Sequence, residues 1–195
     1  MYELVEIFES LQGEGRNVGR PCVFVRFAGC NLACPWCDTS VKARFSLSLD
    51  DLMRESASFR ARSVVLTGGE PTLVRDMPEL VAALKEAGYW IAIETNGSND
   101  VPWLAFIDHV ACSPKLEYPE RFVLAAADEI RVVASDVGKA VEFCEDVKRR
   151  CKAGDYYVSV CERGGEMDFA AAKAVLSRLE GWSLSVQLHK ILGFR

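Results

Sequence analysis

Residues 22–39 read CVFVRFAGCNLACPWCDT, an apolar run followed by a loop with three cysteines. The run at residues 22–27 is rich in branched and aromatic side chains, which is typical of a strand buried in a parallel sheet. Cys30, Cys34 and Cys37 follow in the spacing C-x3-C-x2-C. The stretch therefore predicts a buried strand with a metal-binding loop directly after it.

Strand and helix patterns alternate along the rest of the chain. Helices are predicted at 50–61, 76–88, 137–152 and 169–179, and further strands at 63–66, 90–93, 107–111, 129–134, 156–160 and 184–188. This alternation indicates a parallel sheet with crossover helices. Six or seven strands are too few for a closed eightfold barrel. We therefore expect an α/β fold, a partial and open (β/α) barrel with a parallel sheet of about six strands, in a single domain over residues 1–195.

The composition excludes several kinds of partner. Half of the 195 residues are hydrophobic, 26% are charged, and the formal net charge is -5. No basic stripe is present for a phosphate backbone, so we expect no nucleic-acid partner. No apolar run approaches the ~20 residues of a membrane span, and the first residues are acidic where a signal peptide would be basic. We therefore expect a cytoplasmic protein without membrane contact, whose eight cysteines are reduced thiols.

Three closely spaced thiols allow two kinds of metal site. A structural zinc ion requires four protein ligands, so a fourth would come from Cys22, His109 or a later cysteine. A four-iron cluster on three thiolates keeps one iron open for an exogenous ligand. The amino and carboxylate groups of S-adenosylmethionine form such a chelate, and an electron from the cluster then generates a 5′-deoxyadenosyl radical. His109 lies in a predicted buried strand without a motif, and we interpret it as structural.

Two further features accompany the cysteine loop and carry a resemblance. Trp36 precedes Cys37, and Gly68-Gly69-Glu70-Pro71 follows the next predicted strand. The two glycines would let the backbone approach a ligand without a Cβ, and Glu70 would accept a hydrogen bond from an ammonium group. With these elements the chain resembles the radical SAM superfamily, in which the aromatic residue contacts the adenine side of the cofactor.

Motifs from residue 9 to residue 190 narrow the resemblance to one family. They are Glu9-Ser-Leu-Gln-Gly-Glu-Gly15, Phe24-Val-Arg26-Phe27, Cys37-Asp-Thr39, Thr67-Gly-Gly-Glu-Pro71, Glu94-Thr-Asn-Gly97, Ser113-Pro-Lys115 and Gln187-Leu-His-Lys190. In this order they resemble 7-carboxy-7-deazaguanine synthases. The resemblance implies that 6-carboxy-5,6,7,8-tetrahydropterin is converted to 7-carboxy-7-deazaguanine with loss of ammonia. It also implies a [4Fe-4S] cluster, S-adenosylmethionine, Mg2+, a flavodoxin- or ferredoxin-type electron donor and a homodimer.

The resemblance assigns substrate binding to two segments, residues 9–27 and the strand and tail at 184–195. The cluster loop, residues 28–40, directly follows the first of them. The side chains implied as substrate contacts are Leu11, Gln12, Gly13, Glu14, Arg26, Thr67 and His189. Gln12 offers both a donor and an acceptor to a pterin edge, and Arg26 could pair with the substrate carboxylate. The resemblance also implies that Thr39 is the Mg2+ ligand. A hydroxyl suits this role, because Mg2+ takes oxygen ligands and fills its other positions with water and substrate.

The resemblance assigns most contacts with the cofactor to residues that follow the predicted strands. The residues implied as cofactor contacts are Trp36, Asp38, Gly68, Gly69, Glu70, Glu94, Asn96, Ser113, Pro114 and Lys115. The chain departs from the family in two places. Cys161-Glu162 stands where relatives often have Gln-Pro, which puts the adenine contacts there in doubt. Arg195 stands where many relatives have a proline near the substrate, and we expect Arg195 to take that place.

Two other functions fit part of the pattern. A glycyl-radical-activating enzyme would share the cysteine loop and the Gly-Gly-Glu-Pro element, but it would not require Gln12-Gly-Glu-Gly15 or the position of Thr39. It would have an open surface for a large protein. A zinc-binding adaptor without catalysis would need a fourth protein ligand and has no reason to carry glycine motifs at strand ends.

Overall fold

The computed structural model describes residues 1–194, and most of its strands join one open sheet. The strands are β1 (Tyr2–Leu11), β2 (Pro21–Phe27), β3 (Phe45–Leu47), β4 (Ser63–Gly68), β5 (Trp90–Thr95), β6 (His109–Cys112), β7 (Ala126–Val133), β8 (Lys152–Ser159), β9 (Glu162–Arg163), β10 (Glu166–Met167) and β11 (Ser183–Ser185). The helices are α1 (Leu49–Ser58), α2 (Met77–Glu86), α3 (Val137–Arg150), α4 (Phe169–Leu176) and α5 (Leu188–Leu192). Arg195 and the contact predicted for it lie outside the described residues.

The large sheet is mostly parallel and does not close on itself. Over residues 1–194 its nine strands run in the order β11-β8-β7-β6-β5-β4-β2-β1-β3. Strands β2, β4, β5, β6, β7, β8 and β11 are parallel neighbours, whereas β1 pairs antiparallel with both β2 and β3. The predicted partial, open barrel is therefore confirmed.

Over residues 1–194 the parallel part of the large sheet has seven strands, in agreement with the prediction of about six, whereas β1 and β3, which pair antiparallel, were not predicted. Strand β1 has the sequence YELVEIFESL, in which acids interrupt the apolar residues, so it lacks the continuous run that marks the inner strands. Its register with β2 also shifts between Leu4 and Glu6. The predicted last strand, 184–188, was also partly wrong. Strand β11 ends at Ser185, and the amide of Leu188 donates to Gly13 O (3.0 Å) where it begins helix α5.

The outer face of the sheet holds the main core. In β2, Val23, Val25 and Phe27 are fully buried against the helical layer, while the alternate residues face the barrel interior. Helix α2 contributes Leu80 and Leu84 to this core. The helices begin with ordinary caps; for example, Asp136 accepts a hydrogen bond from Lys139 N (3.1 Å) at the start of α3.

The barrel interior has an apolar layer at the amino ends of its strands. Cys22, Val65 and Ala92 are buried there, with Trp90 packed against them. The guanidinium of Arg20 lies 3.8 Å from the centre of the Trp90 ring. This apolar layer lies below the cavity, which is lined by residues at the carboxyl ends of the strands.

The eight cysteines are all free within the described part of the chain, as predicted, and the five outside the cluster loop are buried. None of the helices in residues 1–194 is long and apolar enough to cross a membrane.

Candidate active site

A cavity of about 490 Å³ occupies the upper part of the barrel interior. Every site residue predicted from the sequence lines this cavity, except Glu70, Pro114 and the undescribed Arg195. The structure therefore brings together motifs that lie up to 178 residues apart, from Leu11 to His189. The carboxyl ends of parallel strands meet at one edge of a sheet, which explains this convergence.

The three cysteines of the cluster loop share this cavity. Cys30 and Cys34 are half-buried and Cys37 is exposed. The amide of Cys37 donates to Cys34 O (3.1 Å), which folds the loop into a turn. Within residues 1–194, no group of three or more His, Cys, Asp or Glu side chains is arranged to hold a single metal ion. The thiols on one loop facing one cavity suit a larger iron–sulfur cluster, which spans several ångströms between its corners.

The proposed fourth ligands of a zinc site lie elsewhere. Cys22 is fully buried in the apolar layer below the cavity. His109 is 5% exposed, with its Nε2 3.5 Å from a carboxylate oxygen of Glu129, so its structural interpretation fits the geometry. Neither residue lines the cavity.

Two contacts fix the outer part of the cluster loop. Trp36 Nε1 donates to Glu117 Oε1 (2.6 Å), and the hydroxyl of Tyr118 donates to Ala33 O (3.1 Å). Lys115 places its ammonium 5.2 Å from the centre of the Trp36 ring. The same ammonium donates to Ser113 Oγ (2.8 Å). The aromatic face and the 113–118 turn thus form one wall of the cavity.

Pro114 does not line that wall. It is buried beneath the turn, and the carbonyl of Lys115 accepts a hydrogen bond from Tyr118 N (2.9 Å). The fixed φ of proline suits the start of this turn, and the cofactor contact of Pro114 stays a prediction.

The glycines of the Gly-Gly-Glu-Pro element allow a close backbone contact within the protein, and their predicted approach to a ligand stays a prediction. Gly68 has φ +131°, and a Cβ at Gly69 would collide with the carbonyl of Gly29. The amide of Gly69 donates to Phe27 O (3.1 Å), and that of Glu70 donates to Gly29 O (2.9 Å). The glycines therefore allow the cluster loop to pack on the end of β4, while both still line the cavity.

Glu70 lies beneath the cavity and does not face a ligand. It is 1% exposed, and its Oε1 accepts hydrogen bonds from Thr72 N (3.0 Å), Thr72 Oγ1 (2.6 Å) and Thr95 Oγ1 (2.7 Å). Its Oε2 accepts one from Asn96 N (2.7 Å). The predicted bond to an ammonium group is corrected, because four internal donors already occupy this carboxylate.

Asn96 and Asp38 both line the cavity but are also engaged with neighbouring segments. Asn96 Nδ2 donates to Asn31 Oδ1 (3.0 Å), which joins the end of β5 to the cluster loop. Lys190 Nζ lies 2.5 Å from Asp38 Oδ2 and 2.7 Å from Glu162 Oε2. Burial raises the pKa of Asp38, but the hydrogen bond and charge of Lys190 outweigh it, and the net pKa is lowered.

Thr39 lies between Asp38 and Arg26. Its Oγ1 donates to Asp38 Oδ1 (3.3 Å) and accepts from Arg26 Nη1 (3.5 Å). Arg26 Nε lies 2.8 Å from Glu6 Oε1, so one edge of the guanidinium is held by an ion pair and another faces the cavity. Thr67 pairs with Arg26 across β4 and β2 and lines the same wall.

A buried ionic layer forms another part of the cavity wall. Arg131 is 4% exposed; its Nη1 lies 2.9 Å from Glu14 Oε2, and its Nη2 contacts Glu94. Glu94 Oε1 accepts from Gln12 Nε2 (3.0 Å), and Glu14 Oε1 accepts from Gln187 Nε2 (2.9 Å). Glu94 was predicted to contact the cofactor, but it lies among the residues predicted for substrate.

Sequence reasoning missed Arg131 and an aromatic pair. Phe8 and Phe24 face each other across β1 and β2, stacked with ring centres 5.1 Å apart, and both line the cavity. The signal for the ionic layer was present at alternate positions of β7. Glu129 and Arg131 alternate with the apolar residues Ile130 and Val132, and this period of two places both charged residues on the interior face.

His189 lies in helix α5 against the 11–13 segment. A Cβ on Gly13 would collide with the ring, so glycine allows the imidazole to approach the backbone. Burial lowers the pKa of His189 below its usual value, which favours the neutral imidazole.

Comparisons with known proteins agree with this geometry. The Radical SAM superfamily matches residues 24–114, which cover the cysteine loop, the Gly-Gly-Glu-Pro element and the end of β6. A 7-carboxy-7-deazaguanine synthase of Neisseria meningitidis serogroup B is 42% identical over 98% of this chain and 93% of that protein. One of Haemophilus influenzae is 41% identical, with the same shares covered. The crystal structure of QueE from Escherichia coli has a TM-score of 0.74 at 26% identity, covering 96% of this chain and 94% of that one.

The fold and the cysteine loop define a radical SAM enzyme, a class that uses a [4Fe-4S] cluster and S-adenosylmethionine. Within that class, the chain belongs to the 7-carboxy-7-deazaguanine synthase family. It is a lyase rather than a zinc-binding adaptor.

Proposed function

We propose that this chain converts 6-carboxy-5,6,7,8-tetrahydropterin to 7-carboxy-7-deazaguanine and ammonia. The observation that carries the proposal is that the cysteine loop and the polar wall of Gln12, Glu14 and Glu94 line one cavity. The product and ammonia together contain all atoms of the substrate. The reaction therefore needs no net oxidant, and S-adenosylmethionine acts catalytically.

The cysteine wall suits the cofactors. Cys30, Cys34 and Cys37 would hold the [4Fe-4S] cluster, and the bound cofactors supply reversible abstraction of a hydrogen atom. Trp36 and Lys115 form the adjoining aromatic and cationic wall. The surrounding backbone of Gly68 and Gly69 keeps this wall close to β4 and limits the access of water.

The wall formed by Gln12, Glu14 and Glu94 suits a pterin. Gln12 offers an amide, and the carboxylates of Glu14 and Glu94 accept hydrogen bonds from ring N–H groups. Arg26 directs one guanidinium edge into the cavity for the substrate carboxylate. The stacked pair of Phe8 and Phe24 provides an apolar surface, which would exclude water from the reacting carbon.

Magnesium would bind between the two walls. Thr39 presents a hydroxyl beside Asp38 and Arg26. One hydroxyl is a weak ligand, so the remaining positions would be filled by substrate oxygens and water, which Mg2+ accepts.

The partners follow from the same arrangement. Cys37 is exposed, so the cluster would lie near the surface and accept electrons from a flavodoxin- or ferredoxin-type protein. We also propose a homodimer in the cytoplasm, in agreement with the resemblance seen in the sequence.

The test is anaerobic reconstitution with iron and sulfide, followed by S-adenosylmethionine, reductant, Mg2+ and the tetrahydropterin. We expect 7-carboxy-7-deazaguanine from the wild type, none from Cys34→Ala, and normal product from Cys144→Ala. Cys144 is a matched control, because it is buried in helix α3 away from the cavity. Formation of 5′-deoxyadenosine without the deazapurine would disprove the substrate. Omitting Mg2+ tests the metal separately.

A further inference from the structure

Arg131 lies at the centre of the buried ionic layer, and none of the sequence motifs includes it. Its Nη1 faces Glu14 Oε2 at 2.9 Å, its Nη2 contacts Glu94, and its Nε lies 3.2 Å from Glu129 Oε1. The residue is 4% exposed. One guanidinium therefore contacts three carboxylates, and each occupies a different part of its fork.

The three carboxylates differ in what they face. Glu14 and Glu94 line the cavity, whereas Glu129 is 2% exposed below it. Glu129 is held from the other side, because its Oε2 accepts from Arg16 N (2.7 Å) and lies 3.5 Å from His109 Nε2. Glu129 therefore pairs with the guanidinium by charge, without a well-aligned hydrogen bond to Nε, and the guanidinium contacts the two upper carboxylates.

The two upper carboxylates keep capacity for a ligand. Glu14 Oε1 accepts from Gln187 Nε2 (2.9 Å), and Glu94 Oε1 accepts from Gln12 Nε2 (3.0 Å). A carboxylate has about four acceptor positions, so each retains some after these bonds. Without Arg131, two carboxylates side by side would repel each other and separate.

We propose that Arg131 is the positioning residue of the substrate wall: it holds Glu14 and Glu94 together as paired acceptors for the N–H edge of the bound ring. The inference rests on the proposed pterin substrate. A 2-amino-4-oxo ring offers N–H donors on this edge. A 2-oxo ring replaces the amino donor with a carbonyl, which would face a carboxylate without a proton between them.

The consequence is discrimination between two rings of the same size. A site built around hydrogen bonds rejects an analogue that lacks the matching donor far better than a site built around shape. We expect 6-carboxypterin to bind at least about 100-fold more tightly than 6-carboxylumazine, its 2-oxo counterpart.

The experiment measures binding of both fluorescent rings to the reconstituted protein with S-adenosylmethionine. In Arg131→Met we expect binding of 6-carboxypterin to weaken by at least about 30-fold and the preference to fall below about 10-fold. Arg131→Lys keeps the charge without the fork, and part of the preference should return. The change that S-adenosylmethionine causes in the electron paramagnetic resonance spectrum of the reduced cluster should be the same in all variants.

Arg150→Met is the control for general loss of stability. Arg150 pairs with Asp146 on helix α3 and does not line the cavity, so its variant should keep the ring preference. The inference is overturned if folded Arg131→Met keeps the wild-type preference. If that variant does not fold, the test uses Arg131→Lys instead. An Arg131→Lys variant that binds 6-carboxypterin with wild-type affinity and wild-type preference over 6-carboxylumazine would overturn the inference. If the wild type itself binds neither ring, the proposed substrate fails instead.

Discussion

Replacing Glu70 with glutamine separates two roles for the Gly-Gly-Glu-Pro element. The sequence suggested that Glu70 binds a cofactor ammonium group, whereas the structure shows a buried carboxylate with four internal donors. Glu70→Gln keeps the shape and removes the charge. The variant should therefore lose folding stability if the carboxylate is structural.

The magnitude follows from the four bonds. The new amide nitrogen would take the place of Oε2, because that oxygen accepts one bond and Oε1 accepts three. The amide would then face the N–H of Asn96, with no acceptor between the two donors. Losing one charge-assisted bond costs about 1.5–3 kcal/mol, and the other three weaken when the charge is removed. We expect a total loss of about 3 kcal/mol in the free energy of unfolding.

The assay is thermal and urea unfolding of the apoprotein, with Glu86→Gln as control. Glu86 is exposed at the end of helix α2, so its substitution should change little. For a chain of this length, about 3 kcal/mol lowers the Tm by roughly 6–12 °C. A Tm unchanged within about 1 °C, together with a large loss of S-adenosylmethionine affinity, would refute the structural role and restore the role predicted from the sequence.

Three further predictions concern other parts of the site. Burial lowers the pKa of His189, so the stability that this residue contributes is fully present above about pH 7 and is lost as the pH falls from about 6.5 through the folded-state pKa. His189→Gln should flatten the dependence of stability on pH in that range. A proton titration by NMR that gives a pKa of His189 above about 6.5 would contradict this prediction. Gly69→Ala should lose cluster incorporation, read from the iron content, because the added Cβ collides with Gly29. Lys190→Met removes the ion-pair partner of Asp38. We expect amide exchange in the cluster loop to accelerate up to about fivefold, since partly exposed pairs contribute about 1 kcal/mol or less. Unchanged exchange would show that the pair does not hold the loop.

The sequence predicted the inner strands because their apolar runs are continuous. Residues 22–27, 63–66 and 90–93 each lie within or close to an observed strand. The outer strands β1 and β3 were missed because one side of each is less buried and carries acids or other polar residues. Polar positions in a partly exposed strand do not distinguish it from a loop.

The predictions for the site succeeded in location and failed in several contacts. Spacing and resemblance indicate which residues meet at a sheet edge, because the end of a strand is visible in a sequence. They do not indicate which atoms already have internal partners. Glu70 and Asn96 both lie at strand ends as predicted, and both are engaged by neighbouring segments. Arg131 was missed because it is inside a strand, and two of its three partners, Glu14 and Glu94, come from distant segments.

The open barrel has a seam, and the cavity lies beside it. The loop between β1 and β2 contacts the far end of the sheet through Gly13 O with Leu188 N (3.0 Å) and Gly15 N with Ser185 Oγ (3.3 Å). These contacts join residues separated by about 170 positions, and closing so long a loop costs entropy before any contact forms. We therefore expect the hydrophobic core to assemble early and the seam late. On the ribosome, a nascent chain that has emerged only as far as β8 would have most of its core, but it would lack Ser185, Gln187 and Leu188, which hold the loop between β1 and β2 in place.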